Sequence, residues 1–291
     1  MKFLIVTADD FGLHEAVNRA VEHAAREGVL SAASLMVGAP HAADAVRPAR
    51  GLPGLAVGLH LVLADGEAVL PRERIPDLVD ASGRFGSRMV RDGVRFFALP
   101  AVRRQLEAEI RAQFEAFAAT GLPLDHVNAH KHFHLHPTLL GMIVRIGRPF
   151  GLRAVRVPRE PAWVTRRAGA LRGPAVAGLL YPWLALMRRR LRSAGLLCND
   201  QVIGLSGTGA MNEDRLLEAL GRLGEGVTEM YLHPAERSGA AIAATMSGYR
   251  HEEELAALLS PRVRAAIAAT GARTGGYRGL LATGARERRA A

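Results

Sequence analysis

The chain has 291 residues, 49% of them hydrophobic and 5% aromatic, and it carries a formal net charge of +10. This length can bury a large core and allows one large α/β domain or two smaller ones. A single cysteine, Cys198, excludes an internal disulfide framework and a cysteine-rich zinc site. The charge is compatible with nucleic acid or an anionic membrane surface, but sparse aromatics and the lack of a recognisable nucleic-acid motif argue against nucleic acid.

The positive charge is almost entirely arginine, because lysine occurs only at Lys2 and Lys131. The arginines concentrate at 166–192 and in the tail at 286–289. Met1 and Lys2 lead directly into an apolar run, without the basic region and cleavage site of a secretory signal. We therefore expect a cytoplasmic protein, with peripheral contact at the inner face of the membrane as the open alternative.

The hydrophobic pattern predicts about seven strand–helix units in a single domain over residues 1–291. The predicted strands are Lys2–Val6, Ser31–Val37, Leu55–Val62, Leu124–Ala129, Leu152–Val157, Gln201–Leu205 and Val227–Leu232. The predicted helices are His14–Glu27, Ala42–Arg47, Val102–Ala119, Pro137–Phe150 and Glu213–Leu223. Continuously apolar strands alternating with helices predict an α/β fold, a parallel and distorted TIM-barrel-like (β/α) barrel.

Two segments interrupt this alternation. Residues 64–100 form an irregular excursion with several glycines and prolines, interpreted as a lid or substrate loop. Within 166–195, the uncharged run 173–187 contains two prolines and is flanked by arginines. It is too short to span a bilayer. Two interpretations remain: an interfacial segment whose arginines meet anionic headgroups, or an ordinary buried helix of the barrel.

Two adjacent carboxylates, Asp9 and Asp10, stand where the first strand ends. In α/β sheets and barrels, ligands bind at the carboxyl ends of the strands. Neighbouring strand residues point to opposite faces, so both carboxylates can serve one site only if the chain turns there, and Gly12 permits a turn. The alternative is that one aspartate caps the following helix while the other is merely exposed.

A histidine-rich segment, 126–137, follows the fourth predicted strand and contains five of the eleven histidines. Imidazole is a common ligand of zinc and similar cations, so the segment indicates a metal site. In an extended chain, one face would carry His130, His132, His134 and His136. Pro137 and the helix after it imply a turn instead, and the other histidines can serve as outer partners, substrate contacts or helix caps.

His60 lies in the third predicted strand, within an otherwise apolar run. A lone histidine in such a place is usually a hydrogen-bonded core residue. One carboxylate and two histidines from three strand ends nevertheless make three protein ligands with an open position, which is the usual composition of a catalytic metal centre.

Together these motifs resemble the YdjC-like (ChbG-like) carbohydrate deacetylases. The matching stretches follow the family's order across most of the chain: Thr7-Ala8-Asp9-Asp10-Phe11-Gly12, Gly58-Leu59-His60, the segment 126–137, and Leu232-His233-Pro234. The resemblance implies a distorted TIM barrel that removes an N-acetyl group from an amino sugar with one divalent ion, magnesium or zinc. Within the family, the chain is most similar to the deacetylases associated with hopanoid biosynthesis.

The resemblance implies that Asp10, His60 and His130 bind the metal and that Asp9 is the general base. Binding the ion would neutralise Asp10 and leave Asp9 free to take a proton from the attacking water. The ion would also polarise the acetamide carbonyl and stabilise the oxyanion that forms.

Two further residues are candidates for catalysis. His233 follows an apolar strand and is the candidate acid for the departing amine, with a purely structural histidine as the alternative. Arg156 lies inside an apolar strand, where an unpaired charge is costly. We therefore predict that Arg156 has a buried carboxylate partner, such as Asp9.

His132 and His134 are expected to contact substrate. The family often has Asp-Ser-His-His-His where residues 128–132 of this chain read Asn-Ala-His-Lys-His. The first histidine is retained, whereas the departures at Asn128 and Lys131 leave the contacts made there open.

The similarity to hopanoid-associated deacetylases implies an N-acetylglucosaminyl hopanoid, a lipid-linked amino sugar, as substrate. Soluble N-acetylglucosamine oligosaccharides are an alternative, and so is metal-dependent hydrolysis of phosphate esters. A non-catalytic lipid-binding or membrane-surface protein that uses 173–187 is a further alternative, and nucleic-acid binding from charge alone comes last.

Zinc suits two imidazoles and a carboxylate, while magnesium remains open.

Overall fold

The computed structural model describes residues 1–167, 174–237 and 242–280, with the backbone alone for 165–167 and 174–179. The strands are β1 (Lys2–Phe11), β2 (Ala32–Leu35), β3 (Ala56–Leu61), β4 (Val127–Ala129), β5 (Gln201–Ile203), β6 (Gly226–Leu232) and β7 (Arg273–Thr274). The α-helices are α1 (Glu15–Glu27), α2 (Ala42–Arg50), α3 (Met89–Ala98), α4 (Pro100–Ala119), α5 (Pro137–Gly147), α6 (Ala162–Arg167), α7 (Pro174–Ser193), α8 (Glu213–Gly221), α9 (His251–Leu259) and α10 (Pro261–Ala269). Short 3₁₀ helices occupy Arg72–Arg74, Arg148–Phe150 and Ala244–Met246. A further 3₁₀ segment, His130–Leu135, is interrupted by non-helical backbone at Lys131 and His132.

The strands form a curled parallel sheet in the order β4-β3-β2-β1-β6-β5. β7 pairs in parallel with the start of β1, below the point at which β1 begins to pair with β2. Helices flank the sheet, and the predicted distorted TIM-like barrel is confirmed. Parallel pairing brings the carboxyl ends of all these strands to one mouth.

The predicted strand Leu152–Val157 is wrong as a continuous element. The segment lies between β4 and β5 but makes only two isolated parallel β-bridges, Val127 to Val155 and Ala154 to Leu197. β4 has only three residues, and the partner on the other side precedes β5, so neither neighbour offers a continuous ladder. The sequence also predicted no strand at β7, whose two residues are too few to carry a pattern.

Alternation along β1 decides which side chains reach the barrel interior. The even-numbered side chains from Leu4 to Ala8 join the large core beneath the helices. Phe3 and Ile5 instead pack in a smaller cluster on the opposite face. Asp9 continues this odd-numbered series, so the apolar floor of the barrel is followed by a buried carboxylate nearer its mouth.

The excursion at 64–100 is less irregular than expected, since it contains a 3₁₀ turn and the ten-residue helix α3. In the part of α7 whose side chains are described, Leu184, Met187 and Leu191 are buried in the core. Leu180 and Leu186 are each 40% exposed. Gly173 and the arginines at 172 and 286–289 lie outside the described residues. None of the helices in the described ranges is long and apolar enough to cross a membrane.

Candidate metal centre and active site

The end of β1 turns at Asp10 itself. Asp10 has a φ of 61°, in the left-handed region that only a few non-glycine residues, aspartate among them, adopt at low cost. Gly12 follows with a φ of 94°, and the pairing of β1 with β2 shifts register between Ala8 and Phe11. This irregularity breaks the strand alternation, so Asp9 and Asp10 direct their carboxylates to adjacent parts of one site.

The helix-capping alternative for this aspartate pair is wrong. α1 begins at Glu15, and its cap is His14, whose Nδ1 accepts a hydrogen bond from the Ala16 backbone N–H at 3.0 Å. Both carboxylates are instead buried, with 2% of each residue exposed. Their burial requires other partners, because an uncompensated carboxylate is costly in the interior.

Three side chains from the ends of β1, β3 and β4 meet at the mouth, and we call them the upper layer: Asp10, His60 and His130. The Oδ1 of Asp10 lies 3.2 Å from Nε2 of His60 and 3.0 Å from Nδ1 of His130. One ligand atom from each residue lies within 4.8 Å of the others, and all three residues are buried. A carboxylate and two imidazoles at these distances could hold one metal ion.

The surroundings of the upper layer fit a divalent cation. Nδ1 of His60 lies 2.6 Å from Oδ1 of Asn128 and donates a hydrogen bond to it. This contact leaves Nε2 of His60 facing Asp10. Among the described residues, Oδ2 of Asp10 is buried without a hydrogen-bond partner. Burial lowers the pKa of His60, but the carboxylates of Asp9 and Asp10 outweigh burial and raise it. The site therefore attracts positive charge, as a proton or as a metal ion.

Asp9 is held beside this layer by a bidentate ion pair. Its Oδ2 lies 2.5 Å from Nη1 of Arg156, and its Oδ1 lies 3.0 Å from Nη2. Oδ1 also accepts a hydrogen bond from Nδ2 of Asn128 at 3.1 Å. Burial raises the pKa of Asp9, but Arg156 outweighs it and holds the pKa far below its usual range. The partner that the sequence predicted for Arg156 is present, and Asp9 is ionised.

Beneath Asp9 lies a second cluster, the lower layer, made of Arg156, Glu229 and Tyr277. Oε1 of Glu229 accepts hydrogen bonds at 2.7 Å from Nη2 of Arg156 and from the Thr7 hydroxyl. Its Oε2 accepts from the Tyr277 hydroxyl at 2.6 Å. The guanidinium also stacks over the Tyr231 ring, 4.8 Å from its centroid. Arg156 is thus locked between two carboxylates, one below and one at the site.

A chain of hydrogen bonds supports Asn128 from the other side. Its Nδ2 donates to Oγ of Ser34 at 3.0 Å, and Ser34 lies 3.1 Å from Nε2 of His126. Nδ1 of His126 lies 3.0 Å from Oδ2 of Asp125. A Cβ atom at Gly58 would lie 2.5 Å from the His126 ring, so the glycine in the Gly-Leu-His motif makes room for this chain.

The rest of the histidine-rich segment does not extend along one face. Lys131 and His132 have φ values of 53° and 55°, which turn the chain at the mouth. His132 lies with Nε2 3.0 Å from the Tyr231 hydroxyl, while the fully buried His134 donates to the Arg156 carbonyl at 3.0 Å. Burial and then the Arg156 charge lower the pKa of His134 to about 3, so its ring is neutral. His134 therefore holds the Arg156 segment in place.

Lys131, one of the two departures from the family pattern, connects loops around the mouth. Its Nζ lies 2.6 Å from Oδ2 of Asp65, in the 64–100 excursion. The same oxygen accepts a hydrogen bond from the Thr245 hydroxyl at 2.5 Å. These contacts tie three loops together at the entrance to the site.

His233 follows β6 and completes the site, with Nε2 3.9 Å from Oδ2 of Asp10. Its backbone N–H donates to Oε2 of Glu254 at 2.5 Å, and its carbonyl accepts from His251 at 2.6 Å. Burial lowers the pKa of His233. Its Nδ1 is buried without a hydrogen-bond partner among the described residues, and its Nε2 is the ring nitrogen that faces Asp10.

Sequence reasoning did not single out Glu229, Tyr277 or Ser34. Glu229 carried a usable signal, since it is a charged residue within the apolar strand β6, as Arg156 is within its own run. Tyr277 carried none, because it reaches the barrel floor from the end of the described chain.

Known proteins align with this chain, some of them along almost its whole length. A carbohydrate deacetylase of Geobacillus stearothermophilus is 30% identical over 279 residues, which is 95% of this chain and 97% of that protein. A chitooligosaccharide deacetylase of Serratia marcescens is 31% identical over 286 residues, covering 96% and 99%. A carbohydrate deacetylase of Brevibacillus brevis is 39% identical over 161 residues, which cover 55% of this chain and 60% of that protein.

A solved structure from Enterococcus faecalis, named for cellobiose-phosphate cleavage, superposes with a TM-score of 0.74 at 27% identity. The superposition covers 96% of this chain and 98% of the other. The family model described as YdjC-like protein matches residues 3–269, from the first strand through helix α10. The chain belongs to the YdjC-like protein family.

Proposed function

We propose that this protein is a metal-dependent hydrolase that removes the N-acetyl group from an N-acetylated amino sugar. The observation that carries the proposal is the convergence of Asp10, His60 and His130 beside an ionised Asp9, with a buried carboxylate oxygen left unpaired among the described residues. The names of the relatives, which are carbohydrate and chitooligosaccharide deacetylases, support this choice of reaction.

In this proposal the upper layer binds one divalent ion through Asp10, His60 and His130. When bound, the ion supplies a positive charge that polarises the acetamide carbonyl and lowers the pKa of a coordinated water. Two imidazoles and a carboxylate suit zinc, and magnesium is the alternative. The tautomer of His60 set by Asn128 is the one that presents Nε2 to the site.

Asp9 is the proton acceptor in this scheme. Arg156 and Asn128 fix its carboxylate in one orientation and keep it ionised. The same ion pair makes Asp9 a weak base, since its pKa is held far below the usual range. The attacking water must therefore be acidified by its surroundings, and this requirement is a reason to expect a cation in the upper layer.

His233 is the proton donor to the departing amine. Its Nε2 lies on the same side of the site as Asp10, and its backbone is fixed on both sides by Glu254 and His251. Because burial lowers the pKa of His233, an imidazolium formed there gives up its proton readily. Water forms the new C–O bond at the acetamide carbonyl and gives a proton to Asp9. The C–N bond then breaks as His233 protonates the amine, which leaves acetate and the free amino sugar.

For the substrate we propose the amino-sugar headgroup of a glycolipid, such as an N-acetylglucosaminyl hopanoid. The similarity of the sequence to hopanoid-associated deacetylases supports this choice. Soluble N-acetylglucosamine oligosaccharides are the alternative, which the names of the curated relatives favour. The two share the reacting group and differ in what is attached to the sugar.

Acetate release from chitooligosaccharides tests the reaction. We expect the protein to release acetate, to lose this activity on chelation, and to regain it when zinc or magnesium is added. Asp10→Asn is expected to abolish both activity and bound metal in elemental analysis. Asp44→Asn, an exposed aspartate on α2, is the matched control and should match the parent protein. Phosphatase turnover without acetate release would instead support the phosphate-ester alternative.

A further inference from the structure

Helix α3, in the excursion at 64–100, turns apolar side chains to solvent. Val90, Val94 and Phe97 are 86%, 62% and 68% exposed. Their spacing of four and three residues places them on one face of the helix. Leu99, just beyond the helix, is 44% exposed and extends the patch. A contiguous apolar face of this kind on a soluble fold marks an interaction surface.

The opposite side of α3 anchors it to the active-site mouth. Phe96 is 2% exposed and lies 5.3 Å from the Phe133 ring, centroid to centroid. A Cβ atom at Gly93 would lie 3.4 Å from the His136 ring, so the helix backbone approaches the histidine-rich segment closely. Phe133 is three residues from His130 of the upper layer. The exposed face of α3 therefore lies on the rim of the site.

Basic residues flank this face along the chain. Residues 88–104 contain five arginines and a single acidic residue, Asp92. Asp92 is engaged by Arg91 at 3.1 Å and by Arg95 at 3.6 Å. Arg88, before the helix, and the arginines at 103 and 104 are exposed. The patch thus combines apolar side chains that can insert with cations that can meet anionic headgroups, on a chain of net charge +10.

We propose that α3 is a membrane-docking helix, whose face of Val90, Val94 and Phe97 inserts into the headgroup region of an anionic lipid bilayer. Docking would place the mouth against the bilayer, where the headgroup of a lipid-linked sugar could enter. The link to substrate rests on the proposed deacetylase function, whereas docking itself does not. A helix that projects apolar side chains among arginines suits a lipid surface, because insertion and charge attraction act together there.

This surface differs from the 173–187 run that the sequence indicated. In the described part of α7, Trp183 donates to the Leu135 carbonyl at 2.8 Å and Tyr181 donates to the Glu160 carbonyl at 2.8 Å. Both aromatic residues of the 173–187 run are thus bonded to the barrel. Leu180 and Leu186, each 40% exposed, offer a matched control for the α3 face.

Vesicle sedimentation tests the proposal. The probe is vesicles of phosphatidylglycerol and phosphatidylcholine in equal parts, with pure phosphatidylcholine as the uncharged comparison. We expect the full chain to bind the anionic vesicles. The triple variant Val90→Ser, Val94→Ser, Phe97→Ser should bind these vesicles with an affinity at least about tenfold lower, because binding scales with the inserted apolar area. The variant Leu180→Ser, Leu186→Ser should bind like the parent protein.

Several outcomes would overturn the proposal. They are no binding by the parent protein, unchanged binding by the triple variant, or loss of binding in the α7 variant alone. Light scattering that shows a dimer which the triple variant dissociates would assign the face to a second copy of the chain. Both variants should keep acetate release from soluble chitooligosaccharides, which shows that they are folded. Vesicle binding without acetate release from any substrate would reject the deacetylase function and leave docking intact.

Discussion

The upper and lower layers of the barrel differ in how their charges are satisfied. In the lower layer, Arg156 and Glu229 meet directly, and both oxygens of Glu229 have hydrogen-bond donors. In the upper layer, two imidazoles converge on Asp10, one of whose oxygens has no hydrogen-bond partner in the described part of the chain. The carboxylate of the lower layer is therefore satisfied by protein atoms, although the buried Nε of Arg156 has no hydrogen-bond partner among the described residues. The upper layer has the composition of a site that a ligand completes.

Asp9 connects the two layers, because Arg156 binds it from below and Asn128 joins it to His60. The ion-paired lower layer can supply rigidity and a fixed charge, while the upper layer, with its unpaired carboxylate oxygen among the described residues, can supply affinity for a cation. Substitutions should therefore separate into effects on stability, from the lower layer, and effects on metal and catalysis, from the upper layer.

The largest expected effect is on catalysis, from the residue shared by both layers. Asp9→Asn should lower kcat by about 10²- to 10⁴-fold, the range that general acid–base catalysis contributes, while bound metal is retained. Steady-state acetate release and elemental analysis measure the two quantities. Glu229→Gln is the comparison, since it alters the other partner of Arg156 and should affect kcat less. Equal losses in the two variants would contradict a proton-transfer role for Asp9.

The next effect is on stability. Arg156→Met should lower the free energy of unfolding by about 3–5 kcal/mol, because it leaves the buried Asp9 and Glu229 without their cation. Denaturant unfolding measures it. The surface pair of Arg84 and Glu67, with side chains 47% and 39% exposed, is the control, and Arg84→Met should cost less than about 1 kcal/mol. Similar losses would remove the contrast between buried and exposed pairs.

Glu254, behind His233, makes stability depend on pH. Burial raises the pKa of Glu254 from 4.5 to about 7. The folded protein therefore binds more protons than the unfolded chain between these values, and stability should fall as pH rises through that window. The total loss is on the order of 3 kcal/mol. Glu254→Gln should flatten this part of a plot of Tm against pH, and an unchanged slope in the variant would reject the assignment.

The smallest expected effect is on metal affinity. Asn128→Ala removes the acceptor of the His60 Nδ1 proton and should weaken metal binding by about 10- to 100-fold, as is typical for groups that orient a ligand. Asn128→Asp keeps an acceptor and should retain more of the affinity. Calorimetric titration with zinc distinguishes the variants. Identical affinities for the alanine variant and the parent protein would show that the upper layer holds His60 without this contact.

The sequence was sufficient to predict the fold class and the residues that line the mouth. Apolar runs at β1, β3 and β4 end in Asp10, His60 and His130, and parallel strands bring such ends together. It also predicted the carboxylate partner of Arg156, since an unpaired buried charge is costly. It predicted a strand at 152–157 that is only bridged, and it missed α3 within the excursion.

What the sequence determined by itself was local: which residues are buried, where strands end, and which chemistry stands at those ends. Tertiary structure alone decided how Asp10 turns, how Glu229 and Tyr277 lock Arg156, and which face of α3 remains exposed. The reason is separation along the chain, since Thr7 meets Glu229 across 222 residues and Asn128 meets Asp9 across 119. Local pattern carries no record of such contacts, which arise only when the barrel closes.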